Sequence, residues 1–246
     1  MTGAVLSPSL VRENREFAAE LKFVLPASVG EQIRSWSRAN LLPDPHGAGD
    51  HRDHYRIHSI YFDTDDFNVY HRRGSYARSK FRLRRYGDAE IIFLERKLRT
   101  NGMLTKRRSV ATVLELDKLL LPQPNGPWNG SWYHRRLLLR RLRPVCQISY
   151  DRTARVYLSA HGPVRLTVDE QVCATPISCV TFGNGSESKP ILTNEVIVEL
   201  KYQVEIPAIF KGLMAEFAMP SAKLSKYRLA ARELGLVQDV QPIVQA

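Results

Sequence analysis

Cysteine is scarce in this 246-residue chain, with Cys146, Cys173 and Cys179 as its whole complement. None of the three stands at a paired metal-ligand spacing and an odd count argues against a disulfide framework, so they read as buried structural thiols. Also missing is any apolar run long enough to span a membrane. The amino terminus, MTGAVLSPSLVRENRE, has neither the basic region nor the apolar core of a secretory signal, and the reading predicts a soluble, cytoplasmic protein. No internal repeat of solenoid period is visible. Negative charge is in deficit: 36 Lys and Arg face 25 Asp and Glu, for a net charge of +11. Such an excess favours phosphate-rich or otherwise polyanionic partners. Nucleic acid is disfavoured among them, because the positive charge falls largely at alternating strand positions and no aromatic stacking motif accompanies it.

What is present is a repeated couplet, Glu-x-Lys, set into apolar stretches: Glu20 and Lys22 in FAAELKFVL, Glu95 and Lys97 in IIFLERKL, Glu199 and Lys201 in EVIVELKY. A further stretch, KFRLRRY, carries Arg82 and Arg84 at the same spacing. Side chains two apart on a strand point the same way, so each segment presents one ionic and one apolar face. For a single strand this is the ordinary alternation of a half-buried sheet. Repetition changes the reading, because like charges set side by side across a sheet repel. If several such strands curl together with their charges inward, the lumen becomes a wet, basic channel suited to phosphate.

Along the rest of the chain strand signals alternate with a few helices, in what reads as one large β-rich domain. Strands are predicted at Phe17–Leu25, Ser59–Phe62, Lys80–Tyr86, Glu90–Leu98, Leu104–Val110, Val145–Tyr157, Val164–Asp169 and Ile191–Tyr202, with an Asn101-Gly102 turn between two of them. Helices are predicted over Ser28–Ala39, with Ser28 and Glu31 in capping-box spacing, over Val113–Leu121, and over the arginine-crowded Trp132–Leu142. Two more close the chain at Pro207–Phe217 and Ser225–Leu234, the last ended by Gly235. The segment 42–58, with His46, His51, His54 and His58, reads as a solvated loop, since its spacings fit no metal pattern. At the start of the final helix, Lys223, Ser225 and Lys226 put a hydroxyl N-cap and ammonium groups where helix-end N–H donors already favour an anion.

Taken in order, the motifs Glu20-Leu21-Lys22, Tyr61-Phe62-Asp63-Thr64, Arg82-Leu83-Arg84-Arg85-Tyr86-Gly87, Phe93-Leu94-Glu95-Arg96-Lys97, Tyr150-Asp151-Arg152-Thr153-Ala154, Arg165-Leu166-Thr167-Val168-Asp169, Val198-Glu199-Leu200-Lys201 and Leu224-Ser225-Lys226-Tyr227 resemble the VTC domain. That domain is the polyphosphate polymerase module of the vacuolar transporter chaperone complex, within the CYTH-like triphosphate tunnel metalloenzyme superfamily. The resemblance covers residues 14–236, leaving tails at 1–13 and 237–246, and implies an α+β fold, an antiparallel β-barrel with flanking helices enclosing a basic tunnel, with ATP and inorganic polyphosphate as partners and Mn²⁺ or Mg²⁺ as cofactor. It places tunnel bases at Lys22, Arg82, Arg84, Lys97, Arg152, Arg165 and Lys201, a phosphate-gripping helix start at Lys223, Ser225 and Lys226, and a metal-holding carboxylate at Glu199. Glu20 and Glu95 are either helpers of the metal or partners of the lysine two positions on.

One departure bears on the chemistry. Hydrolytic and cyclase members of the superfamily open on Glu-x-Glu-x-Lys, whereas this chain has Ala18 at the first of those positions. Loss of that carboxylate weakens a water-activating role and suits transfer of the ATP γ-phosphoryl group to a polyphosphate oxygen that already carries charge. A triphosphate hydrolase and a non-catalytic polyphosphate or inositol-phosphate binding module are the alternatives.

Overall fold

The structure is a computed structural model that describes residues 19–45, 47–100, 103–123, 126–183 and 187–237. Ala18, His46, the Asn101-Gly102 turn and the tail at 1–13 lie outside the described residues, as does the chain beyond 237. Ten strands form one antiparallel sheet: β1 (Ala19–Pro26), β2 (Leu42–Pro43), β3 (His54–Asp63), β4 (Ser79–Tyr86), β5 (Ile91–Thr100), β6 (Met103–Thr112), β7 (Arg143–Ser159), β8 (Gly162–Pro176), β9 (Lys189–Pro190) and β10 (Glu195–Tyr202). The hydrogen-bonded order is β1-β10-β8-β7-β3-β4-β5-β6, with the two-residue β2 and β9 paired to β7 and β8. The sheet curls like a barrel but does not close, since β1 and β6 remain its two edges. An ion pair of 2.9 Å from Lys97 on β5 to Glu20 on β1 crosses the seam instead.

Alternation sends apolar side chains outward, where helices cover them. α1 (Ala27–Asn40) and α4 (Ala208–Glu216) bury Ile33, Phe210 and Leu213 against Phe23, Leu25, Val198 and Leu200 of β1 and β10. Gly30 lets α1 approach β10, because a Cβ there would lie 2.6 Å from Val196. On the other flank α3 (Ser131–Leu139) sets Tyr133 edge-on to Phe62, with ring centroids 6.0 Å apart. A short α2 (Asn68–His71) and α5 (Lys226–Glu233) complete the helices. Asp63, fully buried, ties these two together: it accepts from the backbone N–H groups of Val69 and Tyr70 and from the Tyr227 hydroxyl. α5 ends as its glycine predicts, with Gly235 at φ +67° and the Leu236 N–H returning to the Ala231 carbonyl at 3.0 Å.

Several local expectations shift. The capping box of Ser28 and Glu31 does not form: the helix begins one residue earlier, with Pro26 as N-cap, the Ala27 N–H bonded to the Asn194 carbonyl, and Glu31 paired with Arg34. The box forms instead between Thr112 and Glu115, and the turn it opens, Val113–Leu120, is 3₁₀ rather than α. β3 starts at His54, so His54 and His58 belong to a strand and not to a loop. His58 Nδ1 lies 2.8 Å from Ser149 Oγ across that ladder. Among the described residues no group of His, Cys, Asp and Glu could hold a metal on its own, and no helix is long and apolar enough to cross a membrane.

Candidate functional site

Strand registers bring the predicted charges onto one inner face. Glu20 is opposite Lys201 and Lys22 opposite Glu199 on the β1–β10 ladder, while Arg82 faces Glu95 and Lys80 faces Lys97 on β4–β5. Lys97 in turn faces Lys106 on β6. Two like-charged pairs opposed directly across a ladder destabilise a sheet unless an anion lies between them. The curl gathers most of these side chains around one half-open cavity. Lys22, Lys80, Arg82, Arg84, Lys97, Arg152, Lys201 and Lys226 line it, against the carboxylates of Glu20 and Glu199 alone. Ser225 and the phenols of Tyr61, Tyr150 and Tyr227 make up the rest of the wall.

Of the residues singled out by sequence, Arg165, Lys223 and Glu95 do not line the cavity. Arg165 is on the same inner face, opposite Lys201, but is held by an ion pair of 2.8 Å to Asp44 and a bond to the Tyr55 hydroxyl. Lys223 is exposed ahead of α5 and does not line the cavity. Ser225 is the N-cap, accepting from the Arg228 N–H, and also accepts from Lys80 Nζ at 2.7 Å. Lys80 is thus a cavity residue that sequence reading passed over. Its signal was present, since Lys80, Arg82 and Arg84 share one alternation. Burial first, and then the charges of Lys22 and Lys97, push the Lys80 ammonium down to about 7.

The carboxylates differ in their company. Lys226, buried at the start of α5, bridges Asp169 at 2.6 Å and Glu199 at 2.9 Å. Asp169, itself fully buried, also takes a forked pair from Arg152 at 2.5 and 2.6 Å. Burial would raise the Glu199 carboxyl, but Lys22, Lys226 and Arg152 hold it well below the usual carboxylate range. For Glu20, burial and Glu199 push upward, yet Lys201, Lys97 and Lys22 bring it down to about 2. Both carboxylates converge on one ammonium, Lys22, at 3.7 and 3.5 Å. Thr167, opposite Glu199 on β8, has a buried hydroxyl oxygen without a partner. Two ionised carboxylates and a buried hydroxyl without a partner, beside a basic cavity, are hard oxygen donors, a set that fits a divalent ion. Glu95 is different: 1% exposed and away from the cavity lining, it is bound by Arg82, Arg108 and Lys106, each at 2.6 Å.

The VTC domain family model matches residues 17–234. Among solved structures the chain is similar to a candidate adenylate cyclase from Bacillus halodurans, at 17% identity and a TM-score of 0.53, covering 85% of this chain and 94% of that one. It is also similar to a candidate adenylyl cyclase from Hippeastrum described as having a dominant triphosphatase activity, at 16% identity and a TM-score of 0.47 over 91% and 98% of the two chains. At 17% identity the likeness to the Bacillus halodurans structure bears on fold alone. No curated protein matches.

Proposed function

The chain belongs to the VTC domain family of triphosphate tunnel proteins, and from that premise we propose that it is a polyphosphate polymerase. It transfers the γ-phosphoryl group of ATP to the terminal oxygen of a polyphosphate chain inside the basic cavity. A bond forms between that oxygen and the γ-phosphorus, the bridge to the β-phosphate breaks, and ADP leaves. The observation that carries the reading is the imbalance of the lining, eight cations against two carboxylates, with Arg84 and Lys80 bonded only to the neutral Ser59, Tyr150 and Ser225. Cationic side chains whose hydrogen-bond partners are neutral hydroxyls, in a half-closed site, are available to an anion.

Phosphoryl transfer of this kind is mainly positioning plus charge stabilisation, and needs no general base when the acceptor is a charged phosphate oxygen. Arg84 grips phosphate oxygens as a fork and Arg152, its own fork held by Asp169, adds positive charge behind it, while Lys22, Lys97, Lys201 and Lys226 act as point charges along the chain. Lys226 is aimed by its own helix: Tyr227 stacks on Tyr61, with centroids 5.5 Å apart, and is anchored to Asp63. Glu199, with Glu20 and Thr167 beside it, would hold Mn²⁺ or Mg²⁺, which would supply positive charge against the phosphoryl group being transferred.

The test is incubation of the purified protein with γ-labelled ATP and Mn²⁺, the products being resolved on a gel. Label in a polymer ladder is the expected result. Label released only as orthophosphate would mean a hydrolase, and no turnover with retained polyphosphate binding would mean a binding module; either result overturns the proposal.

A further inference from the structure

The arginine-rich α3 has no part in the cavity. It lies on the opposite side of the sheet, where Trp132 donates to Ser109 Oγ at 3.0 Å and stacks under the Arg107 guanidinium at 4.1 Å. Beneath it, Arg96 on β5 is flanked in register by Phe81, which touches Tyr133, and by Arg107 on β6. Arg96 and Arg107 are therefore like charges opposed directly across the ladder, on the outer face. Arg136 follows Trp132 by one helical turn and Arg140 follows Arg136 by another, so all lie on the stripe that overhangs Arg96. Arg140 is held in place from the side, by Ser75 Oγ at 3.1 Å and by the Tyr76 ring at 4.2 Å.

An ordinary solvated basic face does not look like this. The Nε atoms of Arg96 and Arg140 are buried and have no hydrogen-bond partner, a state that costs free energy unless a ligand completes it. Burial, followed by Arg136, Arg107 and Arg140, lowers the Arg96 guanidinium below its ordinary value, so the cluster repels itself when empty. Forked donors held by aromatic faces are the arrangement that reads phosphate oxygens.

We propose that the outer face of β5 and β6, overhung by α3, is a second anion site that takes a phosphate group of a polyanion, with Arg96 as its floor and Arg136 and Arg140 as its arms. It is separate from the cavity and does not depend on the polymerase reading. The phosphate can come from a soluble chain or from a lipid headgroup, and two experiments on the full chain separate them. Calorimetric titration with tripolyphosphate should resolve two classes of site. Arg136→Gln, an exposed helix position that does not endanger folding, and Arg96→Gln should each weaken one class by about tenfold or more while leaving ATP turnover unchanged. Arg84→Ala should weaken only the other class. Relief of like-charge repulsion should also leave Arg96→Gln at least as heat-stable as the parent without ligand, with phosphate stabilising the parent more than the variant. Sedimentation with phosphatidylcholine vesicles containing phosphatidic acid identifies the source: retention that Arg136→Gln abolishes assigns the phosphate to a lipid surface, and a second tripolyphosphate class without vesicle retention assigns it to a soluble anion. A titration and a sedimentation that are both indifferent to Arg136→Gln and Arg96→Gln would overturn the site.

Discussion

Glu95 and Glu199 are both inner-facing carboxylates in Glu-x-Lys couplets, yet their surroundings differ in kind. Glu95 is closed in by two arginine forks and Lys106, with every contact near 2.6 Å, and has no edge on the cavity. Glu199 faces the cavity among lysines, with Lys226 at 2.9 Å, Lys22 at 3.5 Å and Arg152 only at 3.8 Å. A carboxylate saturated by rigid forks holds strands together. One surrounded by flexible ammonium groups at uneven distances can exchange them for phosphate or metal. On the proposed function, the same couplet therefore serves architecture on one wall and chemistry on the other.

The largest effect should come from emptying the closed nest. Glu95→Gln leaves Arg82, Arg108 and Lys106 without their shared counter-charge and should cost about 3–5 kcal/mol of stability, read by chemical denaturation. A loss under about 1 kcal/mol would mean that the nest is not structural. Next, the two arginines of β4 should part company. Arg84, bonded only to neutral groups, should lose about 2–4 kcal/mol of barrier stabilisation on change to Ala, roughly a hundredfold or more in single-turnover rate, at a nearly unchanged melting temperature. Arg82→Ala should lose both rate and stability, because Arg82 also holds Glu95. Equal melting losses in the two variants would erase the distinction. Glu199→Gln should slow turnover by orders of magnitude while metal-free tripolyphosphate binding is kept or tightened, and near-normal turnover would move the metal role to Glu20.

A smaller effect distinguishes the walls by pH. Lys80 in the folded protein is near 7, well under an unfolded lysine near 10.4, so between those values the unfolded chain carries more protons. Stability of the free protein should consequently rise with pH across that window, by up to about 1.4 kcal/mol per unit from this one group. Binding of an anion should run the other way, because phosphate recharges Lys80: tripolyphosphate affinity should fall as pH rises from 7 to 9. Replacing Lys80 by Met should reduce both slopes, leaving the share of Lys106 and Lys201, which burial also lowers, to about 7 and about 8. Unchanged slopes in that variant would show that another group titrates.

Much of this was legible in the sequence because strand alternation fixes which side chains share a face. Lys22, Arg82, Arg84, Lys97, Arg152, Glu199, Lys201 and Lys226 line one cavity. What alternation cannot give is distance along and around the curl. It could not show that Arg165 would be taken by Asp44, or that Lys223 would stay outside while Lys80, on a neighbouring strand, reached the helix cap. Nor could a couplet reveal its partners, so Glu95 and Glu199 looked alike until β6 placed Lys106 and Arg108 beside only one of them. The capping box was misplaced for a similar reason, since Asn194, remote in sequence, caps the Ala27 N–H.

The claim at the centre is that uncompensated cations in the cavity grip a polyphosphate chain. It is tested most directly by measuring the affinity of long-chain polyphosphate against salt concentration for Arg136→Gln, in which the outer face is weakened, and for the same protein also carrying Arg84→Ala. Each neutralised phosphate releases counterions, so affinity should fall steeply with salt, and loss of Arg84 should make the log–log slope shallower by about 0.7 to 1 as well as weakening binding. Salt-independent binding, or identical slopes with and without Arg84, would contradict it.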